Sequence, residues 1–363
     1  MEAEVCGKLR PGVYVSSLAF FRSDESVNED AVVRHMGSLA ESGVAGVVVQ
    51  DVFGEAMHLD RSERNSVTAA ARQGMSAYPH VSLLVGCSAA STRATVQLCQ
   101  DAAEHGADFA VVQAPRLYRL SSKAVLDHYR AVADASPVPL LIKDCGGPEG
   151  SLEGGFEGSL AGGLEGSIPK GSLEDSLEGG FEGSLEGSPG QKTAGPRSGE
   201  TALTCEEILA LARHGNVAGV QLSATMPGRI AELVSKCPPW FVVLGNETRR
   251  TLHTLVAGGH GIVSGFANLF PYLCVRLAQL CNAGELAQAL SLLDTLAAAD
   301  DVLHTHGFTA FKSALQTYHH YGGCPRLPCQ QPTHQDACDI AEKLRPCVQL
   351  DIDIQHALNK HHT

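Results

Sequence analysis

A lysine that could act as an amine nucleophile stands at the end of an apolar stretch. Residues 139–142 are apolar, Lys143 follows them, and Gly146-Gly147 lie just beyond. In β/α barrels the carboxyl ends of the strands carry the active site, and a lysine there can form a Schiff base with a carbonyl substrate. The competing interpretation is a solvated or paired charge at a strand end, and the residue pattern leaves both open.

Other kinds of catalytic or cofactor site have little support. The pair His319-His320 has neither a carboxylate nor a second histidine four residues further on, so both are interpreted as surface histidines. A cluster of cysteines near the carboxyl terminus lacks paired CxxC spacing, which favours free thiols over zinc; its members are Cys324, Cys329, Cys338 and Cys347. A P-loop and a GxGxxG fingerprint are also absent. The sequence therefore predicts no metal and no cofactor.

Composition limits the class of protein and its partners. The chain has 363 residues, of which 44% are hydrophobic, and a net charge of −13. Phosphate binding needs clustered lysine and arginine, so a nucleic-acid partner is not expected. No apolar run reaches the length of a membrane span. The acidic start, residues 1–6, fits neither a secretory signal nor a transit peptide, which predicts a cytoplasmic location.

Strands and helices alternate along most of the chain, with a repeat of about thirty residues. Such alternation predicts an α/β fold with parallel strands, and eight units favour a (β/α)₈ TIM barrel. The eight predicted strands are residues 12–21, 45–50, 81–86, 109–113, 139–143, 217–221, 241–245 and 261–264. A helical C-terminal extension is predicted at 271–281, 285–303 and 308–318, and a short helix at 336–344.

A low-complexity segment interrupts this alternation directly after the fifth strand. The ten-residue string SLEGGFEGSL occurs at 151–160 and again at 176–185, and the segment is strongly acidic. Glycine, serine and glutamate without apolar periodicity cannot repay the entropy of ordering, which predicts a disordered insertion. A partner-docking segment that uses its spaced leucines and phenylalanines is the alternative. The predicted divisions are 1–148, 149–201, 202–268, 269–323 and a Cys/Pro-rich tail at 324–363.

Several short motifs resemble one enzyme family. They include Gly46-Val47-Val48-Val49-Gln50, Gly54-Glu55, Ser62-Glu63-Arg64, Tyr118-Arg119, Ser136-Pro137-Val138-Pro139, Gly258-Gly259 and Tyr321-Gly322-Gly323. Their order and spacing resemble the dihydrodipicolinate synthase and N-acetylneuraminate lyase family, and within it 4-hydroxy-2-oxoglutarate aldolase. The resemblance implies a (β/α)₈ barrel, a homotetramer, and cleavage of a 2-oxo acid to pyruvate. By family, a mitochondrial location is also possible.

The resemblance also implies where catalytic groups should stand. Family members form a Schiff base on a lysine of the sixth strand and shuttle protons through a tyrosine of the fifth. Here those positions hold Gln221 and Lys143. Tyr118 matches a second tyrosine, which completes a proton relay. The loop that holds the substrate carboxylate in the family reads Asp51-Val52-Phe53-Gly54-Glu55, and Val52 and Phe53 replace its donors. The candidate substrate contacts are Asp51, Gly54, Glu55, Gln221 and Ser264.

Three hypotheses follow from these replacements. The chain is a divergent aldolase whose barrel is inactive and serves as a scaffold or regulatory subunit. Alternatively, Lys143 is a relocated nucleophile, because neighbouring strands lie about 4.8 Å apart and its amine could reach the space of a sixth-strand lysine. Asp51 or Glu55 nearby would oppose this by favouring the charged ammonium. A third hypothesis is an eroding gene copy, because the repeat interrupts a substrate-contacting loop.

Overall fold

The computed structural model describes residues 9–115, 120–144, 203–223 and 227–361. Eight parallel strands within these ranges close into one barrel in sequence order. The strands are β1 (Gly12–Ser16), β2 (Gly46–Val49), β3 (Ser82–Gly86), β4 (Phe109–Val112), β5 (Leu140–Asp144), β6 (Val217–Leu222), β7 (Val242–Asn246) and β8 (Gly261–Ser264). The TIM barrel predicted from the sequence is thereby confirmed.

The strands are apolar on both faces because both faces are buried. Side chains that point into the barrel form one cluster, which includes Val48, Leu84, Val111, Leu141 and Leu244. The alternate residues point outward and join a larger core shared with the surrounding helices. A side-chain period of two places alternate residues on opposite faces of a strand. This alternation decides below which side chains reach the barrel mouth.

Most of the barrel helices begin at a residue whose side chain caps the first turn. They are α1 (Glu29–Glu41), α2 (Arg61–Gly74), α3 (Thr92–Glu104), α4 (Ser122–Ala135), α5 (Cys205–Ala212), α6 (Pro227–Lys236) and α7 (Thr251–Val256). Asp60 and Thr204 form capping boxes with Glu63 and Glu207. Each capping side chain accepts a hydrogen bond from a backbone N–H that the first helical turn leaves unpaired.

Four helices follow the barrel: α8 (Pro271–Asn282), α9 (Leu286–His306), α10 (Phe308–His319) and α11 (His334–His361). The predicted C-terminal extension is confirmed, but the short helix predicted at 336–344 is wrong in length. Pro346 lies inside α11, and a proline inside a helix removes one backbone hydrogen bond. The helix continues because Leu344, Cys347 and Val348 are buried in the common core, and their burial offsets that loss.

The predicted insertion and the absence of a predicted membrane span are considered for the described ranges. The insertion at 149–201 lies outside the residues that the structure describes, and so do the chain divisions drawn through it. Within the described helices, none is both long and apolar enough to cross a lipid bilayer.

Candidate active site

Polar side chains from five strands or strand-end loops meet at the carboxyl mouth of the barrel. On β6, Val220 and Leu222 belong to the outer core, so Gln221 between them points into the barrel. Lys143 of β5 is the register partner of Gln221. Ser16 ends β1 and Asn246 ends β7. The mouth is thus lined by charged and amide groups where the barrel interior below it is apolar.

Lys143 is held by a carboxylate from across the mouth. Its Nζ lies 2.6 Å from Oδ1 and 2.8 Å from Oδ2 of Asp51, in the loop after β2. The side chains of Lys143 and Asp51 are only 11% and 13% exposed. Ser16 Oγ donates a third hydrogen bond, of 3.3 Å, to Oδ2. Lys143 is therefore a paired charge at the strand end, as one of the two sequence interpretations held.

The surroundings of Asp51 keep its carboxylate ionised. Burial alone would raise the pKa of Asp51, but the Lys143 ammonium and the N–H of Val52 hold that pKa below its ordinary value. An ionised carboxylate at this distance in turn favours the protonated form of Lys143. At neutral pH the two groups form an ion pair. The lysine is then protonated and lacks the lone pair that nucleophilic attack requires.

Gln221 fills the β6 position with an amide whose hydrogen bonding is incomplete. Its Nε2 donates to Asn246 Oδ1 at 3.2 Å. Its Oε1 is fully buried and has no hydrogen-bond partner among the residues that the structure describes. Most buried polar atoms in folded proteins are paired, so an unpaired acceptor beside an active-site mouth calls for an explanation.

The loop after β2 does not present the donors that a substrate carboxylate would need. Val52 is largely exposed to solvent. The ring of Phe53 packs edge-to-face on Phe311 of α10, with centroids 5.3 Å apart. A Cβ on Gly265 would lie 2.6 Å from the Phe53 ring, so this glycine makes room for it. Phe53 therefore anchors the loop to the C-terminal helices.

Glu55 is placed in a buried ion pair with the C-terminal helices and not at the mouth. Its Oε1 pairs with Nζ of Lys312 on α10, and the two side chains are 1% and 0% exposed. Its Oε2 accepts hydrogen bonds from the backbone N–H of Arg326 at 3.0 Å and from His58 at 3.1 Å. The Glu55 carboxylate thus joins the barrel to the segment that follows α10.

The remaining predicted site residues have mixed placements. Val263 on β8 points into the barrel, so the next residue, Ser264, points outward. Ser264 Oγ lies 2.5 Å from Thr248 Oγ1. A Cβ on Gly54 would lie 2.8 Å from the backbone nitrogen of Gln50, so the tight loop itself explains that glycine. Tyr118 lies outside the described residues. The structure therefore groups Asp51, Lys143 and Gln221, and separates Ser264 and Glu55 from them.

Comparison with known proteins decides the family. The dihydrodipicolinate synthetase family matches residues 10–146 and 195–350. The chain belongs to this family. Its relatives include a protein from Emericella nidulans named "Probable 4-hydroxy-2-oxoglutarate aldolase, mitochondrial", which is 36% identical over 96% of this chain and 98% of its own length. An L-threo-3-deoxy-hexylosonate aldolase from Aspergillus niger is 29% identical over 94% of this chain and 96% of its own.

Solved structures of family members share the fold. A dihydrodipicolinate synthase family protein from Coccidioides immitis superimposes with a TM-score of 0.74 at 22% identity, over 96% of this chain and 98% of that one. A monomeric dihydrodipicolinate synthase variant also gives a TM-score of 0.74, at 17% identity, over 93% and 97% of the two chains. At these identities the family structures support the architecture alone. The family resemblance identified from the sequence motifs is confirmed.

Some site residues escaped the sequence reasoning. Ser16 and Asn246 were not singled out, although each is the polar last residue of an otherwise apolar strand. In this family's barrel such residues surround the mouth, so that position was a usable signal. Lys312 offered no such signal, because its partner Glu55 lies far away in the sequence. No cluster of three metal-ligating side chains occurs in the described ranges.

Proposed function

We propose that this aldolase-like family member has lost Schiff-base catalysis and serves as a binding or regulatory barrel. The observation that carries the proposal is the two-pronged ion pair between Lys143 and Asp51 at the mouth. Imine formation needs a neutral amine that can attack a carbonyl carbon. Gln221 has no amine, and the Lys143 amine is held as an ammonium by a carboxylate whose pKa is lowered.

The loop after β2 supports the same conclusion from the substrate side. An aldolase of the resembling kind must hold a carboxylate while the bond beside the keto carbon breaks. Val52 and Phe53 offer no side-chain donors there, and Asp51 adds a negative charge that repels an anion. The nucleophile and the carboxylate donors are therefore replaced together, which is more than a single lost residue.

Cleavage through a relocated nucleophile is the second candidate, and one observation favours it. Lys143 is the direct register partner of Gln221 across the β5–β6 pair, so its side chain enters the same part of the mouth. Transfer of a proton to Asp51 would free the amine to attack a 2-oxo acid, with loss of water from the resulting carbinolamine. In this candidate Asp51 acts as a general base, whereas in the first it keeps Lys143 protonated.

A turnover assay separates the two candidates. Release of pyruvate from 4-hydroxy-2-oxoglutarate is measured for the unchanged chain, for Lys143→Ala and for Lys123→Ala, an exposed lysine on α4 as a matched control. We expect no release above the uncatalysed rate from any of the three. Release that persists in Lys123→Ala but disappears in Lys143→Ala would overturn the proposed function and establish the second candidate.

The family resemblance also suggests a homo-oligomer, and we propose one face for its assembly. Residues of α6, α7 and the start of α9 line an apolar groove of about 540 Å³ on the barrel exterior. Val256, Leu286 and Leu290 are all exposed there. A contiguous apolar patch on a barrel exterior is typical of a surface that another chain covers. Because one relative of the same fold is monomeric, the architecture alone does not fix the assembly.

Charge substitutions in this groove are expected to lower the assembly state. Burying a carboxylate in an apolar interface is strongly unfavourable, so Val256→Glu with Leu290→Glu should separate the subunits. Sedimentation velocity measures the change, and Leu327→Glu is the matched control, at an exposed leucine whose backbone N–H donates a hydrogen bond to Glu25 in the connection between β1 and α1. Equal sedimentation of the groove variant and the unchanged chain, both as oligomers, would contradict this face.

The ligand and the compartment remain predictions. A small 2-oxo acid is the substrate that the resemblance suggests. Residues 1–6 predict a cytoplasmic location. The name of the Emericella relative includes the word mitochondrial, which suggests the mitochondrion as the alternative.

A further inference from the structure

The buried oxygen of Gln221 has no hydrogen-bond donor among the residues that the structure describes. Gln221 is 1% exposed, and its Oε1 has no donor within the described chain, while its Nε2 donates one of its two N–H groups to Asn246. An unpaired buried carbonyl oxygen is destabilising, and a bound N–H or O–H group would remove that cost. A ligand carbonyl or carboxylate could not do so, because it has only acceptors to offer.

The Asp51 carboxylate accepts several of the hydrogen bonds that are available at the mouth. It receives both hydrogen bonds from Lys143, one from Ser16 Oγ and one from the N–H of Val52. These are the kinds of donor that would otherwise bind a substrate carboxylate. The Asp51 side chain therefore takes hydrogen bonds that a ligand anion would need, and its charge is balanced by that of Lys143.

We propose that the mouth binds a small uncharged ligand that carries N–H or O–H donors, such as a primary amide or an alcohol, and discriminates against 2-oxo and 2-hydroxy acid anions. The ligand donates to Gln221 Oε1 and lies beside the neutral Lys143–Asp51 pair. An added carboxylate would meet the Asp51 charge, and the Lys143 ammonium is already paired with that charge. The inference rests on the proposed function, because an imine-forming mouth would instead require a 2-oxo acid.

A matched pair of probes isolates the ligand charge. Lactamide and lactate have nearly the same shape, but lactamide is neutral and adds N–H donors. Calorimetric titration of the unchanged chain should show lactamide binding at least about tenfold more tightly than lactate. Glycerol serves as the hydroxyl-only probe, and its binding in place of lactamide would also support the inference. Lactate binding as tight as lactamide, or binding of none of the three probes, would overturn it.

Two variants locate the effect on the proposed groups. Gln221→Met removes the acceptor with little change of volume and should weaken lactamide about fivefold to tenfold. Asp51→Asn removes the carboxylate that pairs with Lys143 and would repel an external anion, so it should reverse the preference in favour of lactate. Lys123→Ala should leave both affinities unchanged. Thermal unfolding of each variant checks that it is folded. If a variant does not fold, the comparison of lactamide with lactate on the unchanged chain still tests the inference.

The outcomes separate this inference from the proposed function. Pyruvate release that depends on Lys143 would overturn the proposed function, whatever the probes show. Absence of release together with tight lactate binding would overturn only the neutral-ligand inference.

Discussion

The double variant Asp51→Asn with Gln221→Lys is expected to form an imine with pyruvate, which the unchanged chain does not form. A lysine at position 221 points into the mouth from β6, in a position that is almost fully buried. Burial and the neighbouring ammonium of Lys143 both lower the pKa of such an amine, so that it is neutral more often at pH 7. The Asp51→Asn change frees the Lys143 ammonium to hold the pyruvate carboxylate.

The single variants define what each change contributes. Gln221→Lys alone supplies the nucleophile but leaves Asp51 opposed to the pyruvate carboxylate, so its adduct should be at least about tenfold weaker. Asp51→Asn alone supplies an anion site without a β6 amine. Peptide mapping after reduction assigns the modified lysine. A double variant that folds but gains no adduct at position 221 would show that the mouth lacks more than these two groups.

Loss of the buried Lys312–Glu55 ion pair is expected to have the largest effect on stability. Both side chains are at most 1% exposed. In Lys312→Met the Glu55 carboxylate would stay buried with only the Arg326 N–H and His58 beside it. Removing one partner of a buried pair costs about 3–5 kcal/mol, a large part of the 5–15 kcal/mol that stabilises a typical domain. Urea unfolding measures this loss.

A double-mutant cycle distinguishes the ion pair from simple packing. Burial lowers the pKa of Lys312, and Glu55 opposes that shift, so each charge depends on the other. The double variant Lys312→Met with Glu55→Gln should therefore lose less stability than the two single losses added together. As a matched control, Lys236→Met breaks an exposed ion pair with Glu232. The side chains of Lys236 and Glu232 are 57% and 42% exposed. The expected cost of Lys236→Met is small, because exposed ion pairs contribute little to stability. Equal costs for Lys312→Met and Lys236→Met would contradict the buried pair.

The position of Lys143 shows how far local sequence reasoning reaches. Its place on β5 followed from an apolar stretch and the spacing of the strand–helix units, and the structure has it there. The charge that opposes its activation was expected from Asp51 or Glu55. The structure assigns that part to Asp51, while Glu55 pairs with Lys312.

Long-range packing explains what the sequence did not predict. Nothing near Glu55 in the chain indicates Lys312, because their contact depends on how α10 returns to the loop after β2. Likewise, the short helix predicted at 336–344 stops before Pro346, whereas burial of the residues around that proline carries α11 through to His361. The outward direction of Ser264 depends on strand register, which a four-residue apolar strand does not determine on its own.

Mass spectrometry after incubation with pyruvate and reduction with borohydride tests most directly whether this barrel has lost Schiff-base chemistry. The unchanged chain should keep its mass, while the Asp51→Asn, Gln221→Lys variant treated in parallel gains one reduced pyruvate adduct at position 221. An adduct on Lys143 of the unchanged chain would contradict the account, because it would show that the Asp51 ion pair opens and that the amine reacts.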